Sequence, residues 1–577
     1  MTSSPIFSRL AAIAPWAALL ALAAALSLQD IRSFDYWWHL RTGRLIFETG
    51  AVPVHDVFTY TTPGAAWIDI NWLFQLGLYA LHATGGHAAV IVAELALVCA
   101  VITVLAPIGW RRERAWLSVA SLALMLLVVA NRLEPRPELM TLVLLACVLR
   151  LLDRFERVGD SAVYAIVPLQ LLWANLHGLF ALGIAVCGIA LAGELLRPLG
   201  HAHEPLRMPR VRRLAALIVL SVLVTFMNPY GVDGVLFPLQ LFEMQGSAEQ
   251  RGAAAQLISE LRSPIGSLRP LALATFLFLA ALSAGAVAAN WRRVRESDLL
   301  LWVAFFYLAM GANRNVALFA VVAAPILVRN LNEALGDRWL SARAGAIAAS
   351  ATMAFALLVA GDAALGRFYP RIGPQQTPGF GVTEGYVPIE AAEWILRTRP
   401  PGPIAHWMGD GDYLIWRLWP EYRVMSDGRT LEAPPVLLMD DPEAFARLDA
   451  SYRFGTVLLN YRRAGFTALP GWLHANPEWR LAYLDDVSVV FVRAEGDGAH
   501  VAELDLDAPG LFPPLDDLPD PAARERFRAR TRLLLRLERA DLALRQWERC
   551  LARFPDEPRG QEMLAAMRTR SAAERAE

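Results

Sequence analysis

The stretch FDYWWHLRTG, residues 34–43, places Asp35 and His39 four positions apart, the spacing of one helical turn. A helix over 35–48 puts Asp35, His39, Thr42 and Ile46 on one stripe and Arg41, Arg44 and Glu48 on another. Trp37, Trp38, Leu40, Leu45 and Phe47 fall on the flanks. A carboxylate at a lipid–water boundary is placed to take a proton from a hydroxyl or an amine. His39 could hold an acceptor group, share that proton, or bind a metal together with Asp35. The plainer reading of the same helix is an interfacial element anchored by its tryptophans, its acid and histidine merely solvated.

A second group of residues suits an anion. In RLEPRPE, Arg132 and Arg136 flank Glu134, with Glu138 following, and Pro135 and Pro137 keep the segment from continuing as a regular helix. The chain contains no lysine, so all 54 basic residues are arginine and any phosphate must be held by guanidinium or backbone groups. Arg132 and Arg136 then read as a clamp for a lipid-linked phosphate, or as a pair neutralised by Glu134 and Glu138. Arg314, between Asn313 and Asn315, is a further phosphate ligand or a partner for Asp35 or Glu138. His177 in ANLHG reads as a structural hydrogen-bonding group before a chemical one. Asn228 in NPYG reads as a helix stop that shapes a cavity or touches a sugar hydroxyl, and Glu134, Glu138 and Asn313 as cavity or acceptor residues.

Other chemistries find no support. GDGDYL (409–414) and SDGRT (426–430) lack the ligand number of a calcium loop and the lysine of a phosphate loop, and read as turns between strands and helices. No protease, esterase or ATPase signature is present. The four cysteines suggest neither a disulfide framework nor a thiolate metal site. A net charge of -1 gives no electrostatic reason for a nucleic-acid partner.

What must position these groups is a membrane domain. With 55% hydrophobic residues in 577, the apolar surface exceeds what a soluble core uses, and it lies in long runs from residue 9 to 361. About eleven runs have a length near that of a transmembrane helix. Arginine-rich loops at 111–114, 149–160, 197–213, 291–298 and 329–343 alternate with the remaining loops, and the excess of positive charge marks them as cytoplasmic. The N-terminus is then inside, and the loop 29–86 and everything past 361 outside. The segments 131–138, 173–178, 228–231, 259–264 and 311–315 gather polar residues at the external edge.

The expected architecture is thus a polytopic α-helical membrane protein, 1–361, followed by a small extracytoplasmic α/β domain, 362–495, a linker, 496–520, and a helical tail, 521–577. Strands are expected at PIAHW, YRVMS, TVLLNY and VSVVFV, and helices at 388–398, 410–419, 441–450 and 466–475. The tail, broken by FPDEP, has the pattern of one tetratricopeptide-like unit, a form suited to holding a protein partner.

The first loop, from FDYWWHLRTGRLIFETG to LHATGG, resembles that of bacterial GT-C superfamily members, integral-membrane glycosyltransferases that use polyprenyl-phosphate sugars. LLWANLHGLF, NPYGVDGVLFPLQLF, GANRNVALFAVVAAPIL and HWMGDGDYLIWRLWPEYRVMSDGRT extend the resemblance, to the family-39-like transferases, over most of 10–495. It implies an essential acid just after the first span, a position matched by Asp35. Relatives often carry a second acid beside it; here Tyr36 and Trp37 follow, which leaves a single-acid mechanism. A divalent metal is compatible with the resemblance but nothing in the spacing requires it, and no other cofactor is implied.

The function expected is inverting transfer of a sugar from a polyprenyl-phosphate donor to an envelope glycan, lipid or protein acceptor, on the external face of the inner (plasma) membrane, with Asp35 as general base. The rival is a non-catalytic transporter or scaffold for envelope glycan assembly. The spans are largely apolar through their centres and polar residues gather at one edge, which favours one-sided chemistry over translocation.

Overall fold

A computed structural model describes residues 5–198, 207–244, 259–336, 342–373, 376–429, 441–462 and 468–574. Parts of two arginine-rich loops, 199–206 and 337–341, residues 466–467 of one expected helix, and Thr430 of SDGRT lie outside the described residues. The chain divides into two compact units.

The first unit comprises 1–33, 42–52 and 68–383 and is helical. Each run expected to span falls on a helix, but they are not equivalent. Among the described residues, Trp72–Leu105, Arg112–Arg132, Gly178–Leu196, Pro270–Ala289, Asn313–Leu335 and Arg343–Ala364 are long and apolar enough to cross a membrane, six where about eleven were expected. Ile13–Ser27 and Ser161–Leu176 are apolar but shorter. The rest fall short for visible reasons. Pro137–Val158 carries Arg150, Asp153, Arg154, Glu156 and Arg157 near its C-terminal end, and Glu296–Gly311 has only 16 residues. Trp72–Leu105 is broken at Gly85 and Gly86, and the φ of +62° at Gly86 is one that only glycine adopts readily. The core of the unit is a continuous packing of Leu, Val, Ala and Phe from these helices, with Val316–Leu335 buried along nearly its whole length.

The second unit comprises 34–41, 53–67 and 384–577. Its centre is a mixed sheet of four strands, β1 (Ile404–His406), β2 (Thr456–Asn460), β3 (Trp479–Leu484) and β4 (Ser488–Arg493), in the order β1-β2-β4-β3. β1 and β2 are parallel, and β4 is antiparallel to both neighbours. Helices Ile389–Thr398, Met408–Leu418, Pro442–Tyr452 and Leu469–Ala475 accompany it, close to the expected bounds. The expected strand YRVMS is instead a loop with a single bridge, Val424 to Thr59, and β3 was not foreseen.

Three tail helices, Asp520–Arg536, Ala540–Arg553 and Gly560–Glu574, follow. Phe527, Leu533, Leu534 and Trp547 join Val457, Leu459 and Phe491 of the sheet in one hydrophobic cluster. The tail, set apart behind a linker in the sequence reading, therefore shares the core of the α/β fold. Buried Arg530 ties it further, donating to Asp486 at 2.5 Å.

Candidate functional site

Asp35 opens the helix Asp35–Thr49, the helix expected from the sequence, and its carboxyl lies in the first turn, where the helix dipole favours negative charge. Residues 34–41 belong to the second unit and are held there by aromatic contacts. Phe34 stacks on Tyr386 with centroids 4.1 Å apart, Trp37 meets Tyr413 edge-on at 4.8 Å, and the Arg41 guanidinium lies 4.3 Å from the Trp419 ring centroid. The solvated interfacial helix is not what forms: His39, Trp37 and Trp38 are all buried, while Asp35 remains half-buried.

Around Asp35 the second unit gathers acids that the sequence reading assigned to turns. GDGDYL is no turn; it forms the first half of Met408–Leu418. Two glycines argue against a helix, but a Cβ on Gly411 would stand 2.0 Å from the Ser426 carbonyl oxygen, so close packing against the 426–429 loop requires one of them. That packing buries Asp410 and Asp412 on the helix and Asp427 on the loop. Gly428 donates its N–H to Asp412 Oδ1 at 2.6 Å. Burial first, then the negative charges of Asp35 and Asp427, push the Asp412 carboxyl well above the usual carboxylate range.

His406 is fixed beside this group. Its Nε2 accepts the Met425 N–H at 2.8 Å, so Nδ1 carries the proton and donates to the Trp407 carbonyl, also at 2.8 Å. Burial pushes its pKa down, and the ring is neutral. Arg429 supplies positive charge, but it is committed. Its Nη2 donates to Asp56 Oδ1 and to Asp427 Oδ2, both at 2.7 Å, and the guanidinium sits 4.4 Å from the Trp67 centroid and 4.8 Å from that of Phe58.

The first unit holds the arginine group. Arg132 pairs with Glu138 and, through Nη1, with Glu260 at 2.8 Å. Arg136 pairs with Glu134 at 2.8 Å and with Glu260 at 2.9 Å, and donates to Ser33 Oγ at 3.0 Å. Glu260 was passed over in the sequence. Burial would raise its pKa, but Arg132 and Arg136 outweigh burial and hold the carboxyl down at about 2. Arg314, in the turn Asn313–Asn315, feels the charges of Glu138, Glu260 and Arg132, yet no hydrogen bond or ion pair of its side chain is formed among the described residues. The turn is tied down by the Asn313 N–H, which donates to the Arg262 carbonyl at 2.7 Å.

Two expected site residues are occupied structurally. His177 Nδ1 lies 2.7 Å from Thr141 Oγ1, which itself accepts from Trp173 Nε1 at 2.9 Å. Asn228 donates to the carbonyls of Thr225 and Gly231 at 2.8 and 3.0 Å and accepts the Tyr230 N–H at 2.8 Å, so its amide closes its own turn. Glu94, also missed, is a buried acid within Trp72–Leu105. Among the described residues, no group of three or more His, Cys, Asp or Glu side chains is arranged to hold a metal ion.

No protein-family model matches the chain, and no curated protein matches it in sequence. Solved structures do. The archaeal oligosaccharyltransferase AglB from Archaeoglobus fulgidus, in complex with an inhibitory peptide and a dolichol-phosphate, aligns with 86% of this chain and 75% of its own, with a TM-score of 0.54 and 12% identity. The apo form of the A. fulgidus oligosaccharyltransferase aligns with 85% and 74%, with a TM-score of 0.52 and 13% identity. The chain shares the fold of these oligosaccharyltransferase structures over most of its length. ArnT from Cupriavidus metallidurans bound to undecaprenyl phosphate gives a TM-score of 0.47 over 83% of this chain and 97% of its own, at 14% identity. At such identities the likeness extends to the fold and not to individual residues, so the two groups described above are read on their own chemistry.

Proposed function

We propose that this chain is an inverting glycosyltransferase of the inner (plasma) membrane, with a cytoplasmic N-terminus and an external second unit. It transfers a sugar from a polyprenyl-phosphate donor to an envelope glycan, lipid or protein acceptor. The observation that carries the reading is the GT-C fold shared with the oligosaccharyltransferase over most of this chain.

In this reading Asp35 removes the proton from the acceptor as its oxygen or nitrogen attacks the anomeric carbon. The bond from that carbon to the phosphate oxygen breaks, and its electron pair leaves on the phosphate. Arg314 is the guanidinium best able to receive that charge, because Arg132 and Arg136 are already paired with Glu134, Glu138 and Glu260. Arg132 and Arg136 form the charged frame around it. Asn313 and Glu138 are the remaining candidates for contact with sugar or acceptor, whereas Asn228 and His177 shape the scaffold. No cofactor enters any of these steps.

Mass spectrometry of polyprenyl-linked sugars and envelope glycoconjugates in a strain lacking the protein tests the proposal. Accumulation of one lipid-linked sugar together with loss of that sugar from an envelope product supports it. An unchanged profile overturns it in favour of a scaffold.

A further inference from the structure

The three carboxylates of the arginine group do not hold it in the same way. Glu134 and Glu138 lie on the same segment as the guanidiniums they meet: Arg136 turns its Nε to Glu134 at 2.8 Å, and Arg132 turns its Nη2 to Glu138. Glu260 comes from a separate turn, Ser259–Leu261, 124 positions beyond Arg136. Its Oε1 receives the Nη1 of both arginines, at 2.8 Å from Arg132 and 2.9 Å from Arg136. Two guanidiniums thus converge on one anionic oxygen. The Glu260 side chain is also the most exposed of the three, 31% against 13% for Glu134 and for Glu138.

An anion arriving here meets a charge balance. Arg132, Arg136 and Arg314 supply three positive charges, and Glu134, Glu138 and Glu260 three negative ones. Glu260 is ionised at neutral pH, because the two arginines hold its carboxyl down at about 2. A phosphate added to these six charges leaves the set net negative in a half-buried place, where such an imbalance is costly. The cost falls away if one carboxylate withdraws. Glu260 is the one that can do so and still leave each guanidinium a partner, since Arg132 keeps Glu138 and Arg136 keeps Glu134. Its turn also borders the turn of Arg314, where the Asn313 N–H donates to the Arg262 carbonyl at 2.7 Å.

We propose that Glu260 is an internal stand-in for the donor's phosphate: its Oε1 fills the position between Arg132 and Arg136 that a phosphate oxygen takes, and the donor enters by displacing it. The inference rests on the reading of this group as the phosphate site and adds a competitor to it. The chemistry recognised is a non-bridging phosphate oxygen, which a lipid carrier or free phosphate would bring. Without donor, Glu260 keeps both guanidiniums paired. With donor bound, its carboxylate turns to water, and its return eases the departure of the phosphate left after transfer.

Titration calorimetry on the purified full-length protein in detergent tests the displacement, with undecaprenyl phosphate and inorganic phosphate as separate probes. Glu260→Gln removes the competing charge and is expected to gain affinity by about ten-fold, toward the lower end of the range for coupled equilibria, while melting lower than the wild type without the probe. Glu260→Asp keeps the charge but is one methylene too short to serve both Nη1 groups. It should gain affinity by a smaller factor, and it keeps the test open if the amide variant fails to fold.

A gain with the lipid alone assigns the place to the lipid carrier, a gain with inorganic phosphate alone assigns it to free phosphate, and a gain with both assigns it to the phosphate group whatever carries it. Folded Glu260→Gln that binds neither probe better than the wild type overturns the stand-in. So does Glu260→Asp that matches the wild type, because Glu260 would then act by its charge and not by its position. Absence of binding in all three proteins overturns it as well, and the envelope profile of the strain lacking the protein then judges the transferase reading by itself.

Discussion

The Arg429 guanidinium meets the Asp56 carboxylate at 2.7 Å across 373 positions of sequence, and both side chains are at most 1% exposed. Asp427 completes the arrangement on the other side of the same nitrogen. Charges this deeply buried are tolerated only because each is paired and hydrogen-bonded. Asp56 also accepts the N–H groups of Phe58 and Thr59, at 3.0 and 3.1 Å, so the ion pair fixes the backbone of the 53–67 segment as well as its charge.

Removing the cation should therefore unfold this region. Arg429→Met leaves Asp56 and Asp427 buried without their partner and is expected to cost about 3–5 kcal/mol, the usual penalty for breaking a buried pair. Thermal melting and limited proteolysis of the purified protein read the loss. A variant that melts within a degree or two of the wild type would show that water already reaches the triad.

Asp35→Asn keeps the shape of the side chain and removes its basicity. Turnover is expected to fall by about 10²–10⁴-fold, the contribution typical of a general base, with an unchanged melting curve. The check is accumulation of the lipid-linked sugar in cells carrying the variant. Full turnover would remove Asp35 from the chemistry.

Arg314 and Arg132 should separate binding from folding. Arg314→Gln breaks no ion pair among the described residues, so it should weaken retention of polyprenyl phosphate at least ten-fold, about 1.4 kcal/mol, with little change in melting. Arg132→Gln strips a partner from Glu138 and Glu260 and should lower the melting temperature as well. Equal binding of polyprenyl phosphate by wild type and Arg314→Gln would move the phosphate elsewhere.

Glu260 gives a pH dependence with a definite sign. Its carboxyl is held at about 2 in the folded protein, against 4.5 for the free group, so its pairing stabilises the fold fully above pH 4.5. That contribution fades as pH falls from 4.5 through 2, where the folded-state carboxyl takes up its proton. Glu260→Gln should be less stable than the wild type at neutral pH, and the gap in melting temperature should close as pH drops through this window. A gap independent of pH would mean that the charge on Glu260 contributes nothing.

Local pattern carried the sequence reading a long way. The helix beginning at Asp35, the break at Gly85–Gly86 and three of the four expected strands are visible as periodicity and breakers. β3 was missed because its alternation breaks where Leu481 and Ala482 are buried in succession, and the register slips between Leu481 and Tyr483. Met408–Leu418 was read as a turn at its start because Gly409 and Gly411 lower helix propensity; the contact of Gly411 with Ser426 that outweighs this is invisible in one dimension. The same holds for the functional groups. Asp35 stood out beside its tryptophans, whereas Asp412, Asp56 and Glu260 acquire meaning from partners far along the chain. Two Asp-Gly pairs, at 410–411 and 427–428, were the available signal, since acids beside glycines mark places where backbone and carboxyl approach closely.

The company that Asp35 keeps bears on how the protein is made. The residue emerges from the ribosome early, but Trp407, Asp412 and Gly428 follow almost four hundred residues later. A nascent or truncated chain would display the acid without the aromatic rings and carboxyls that fold around it, so this corner of the second unit takes shape only once most of the chain has been made.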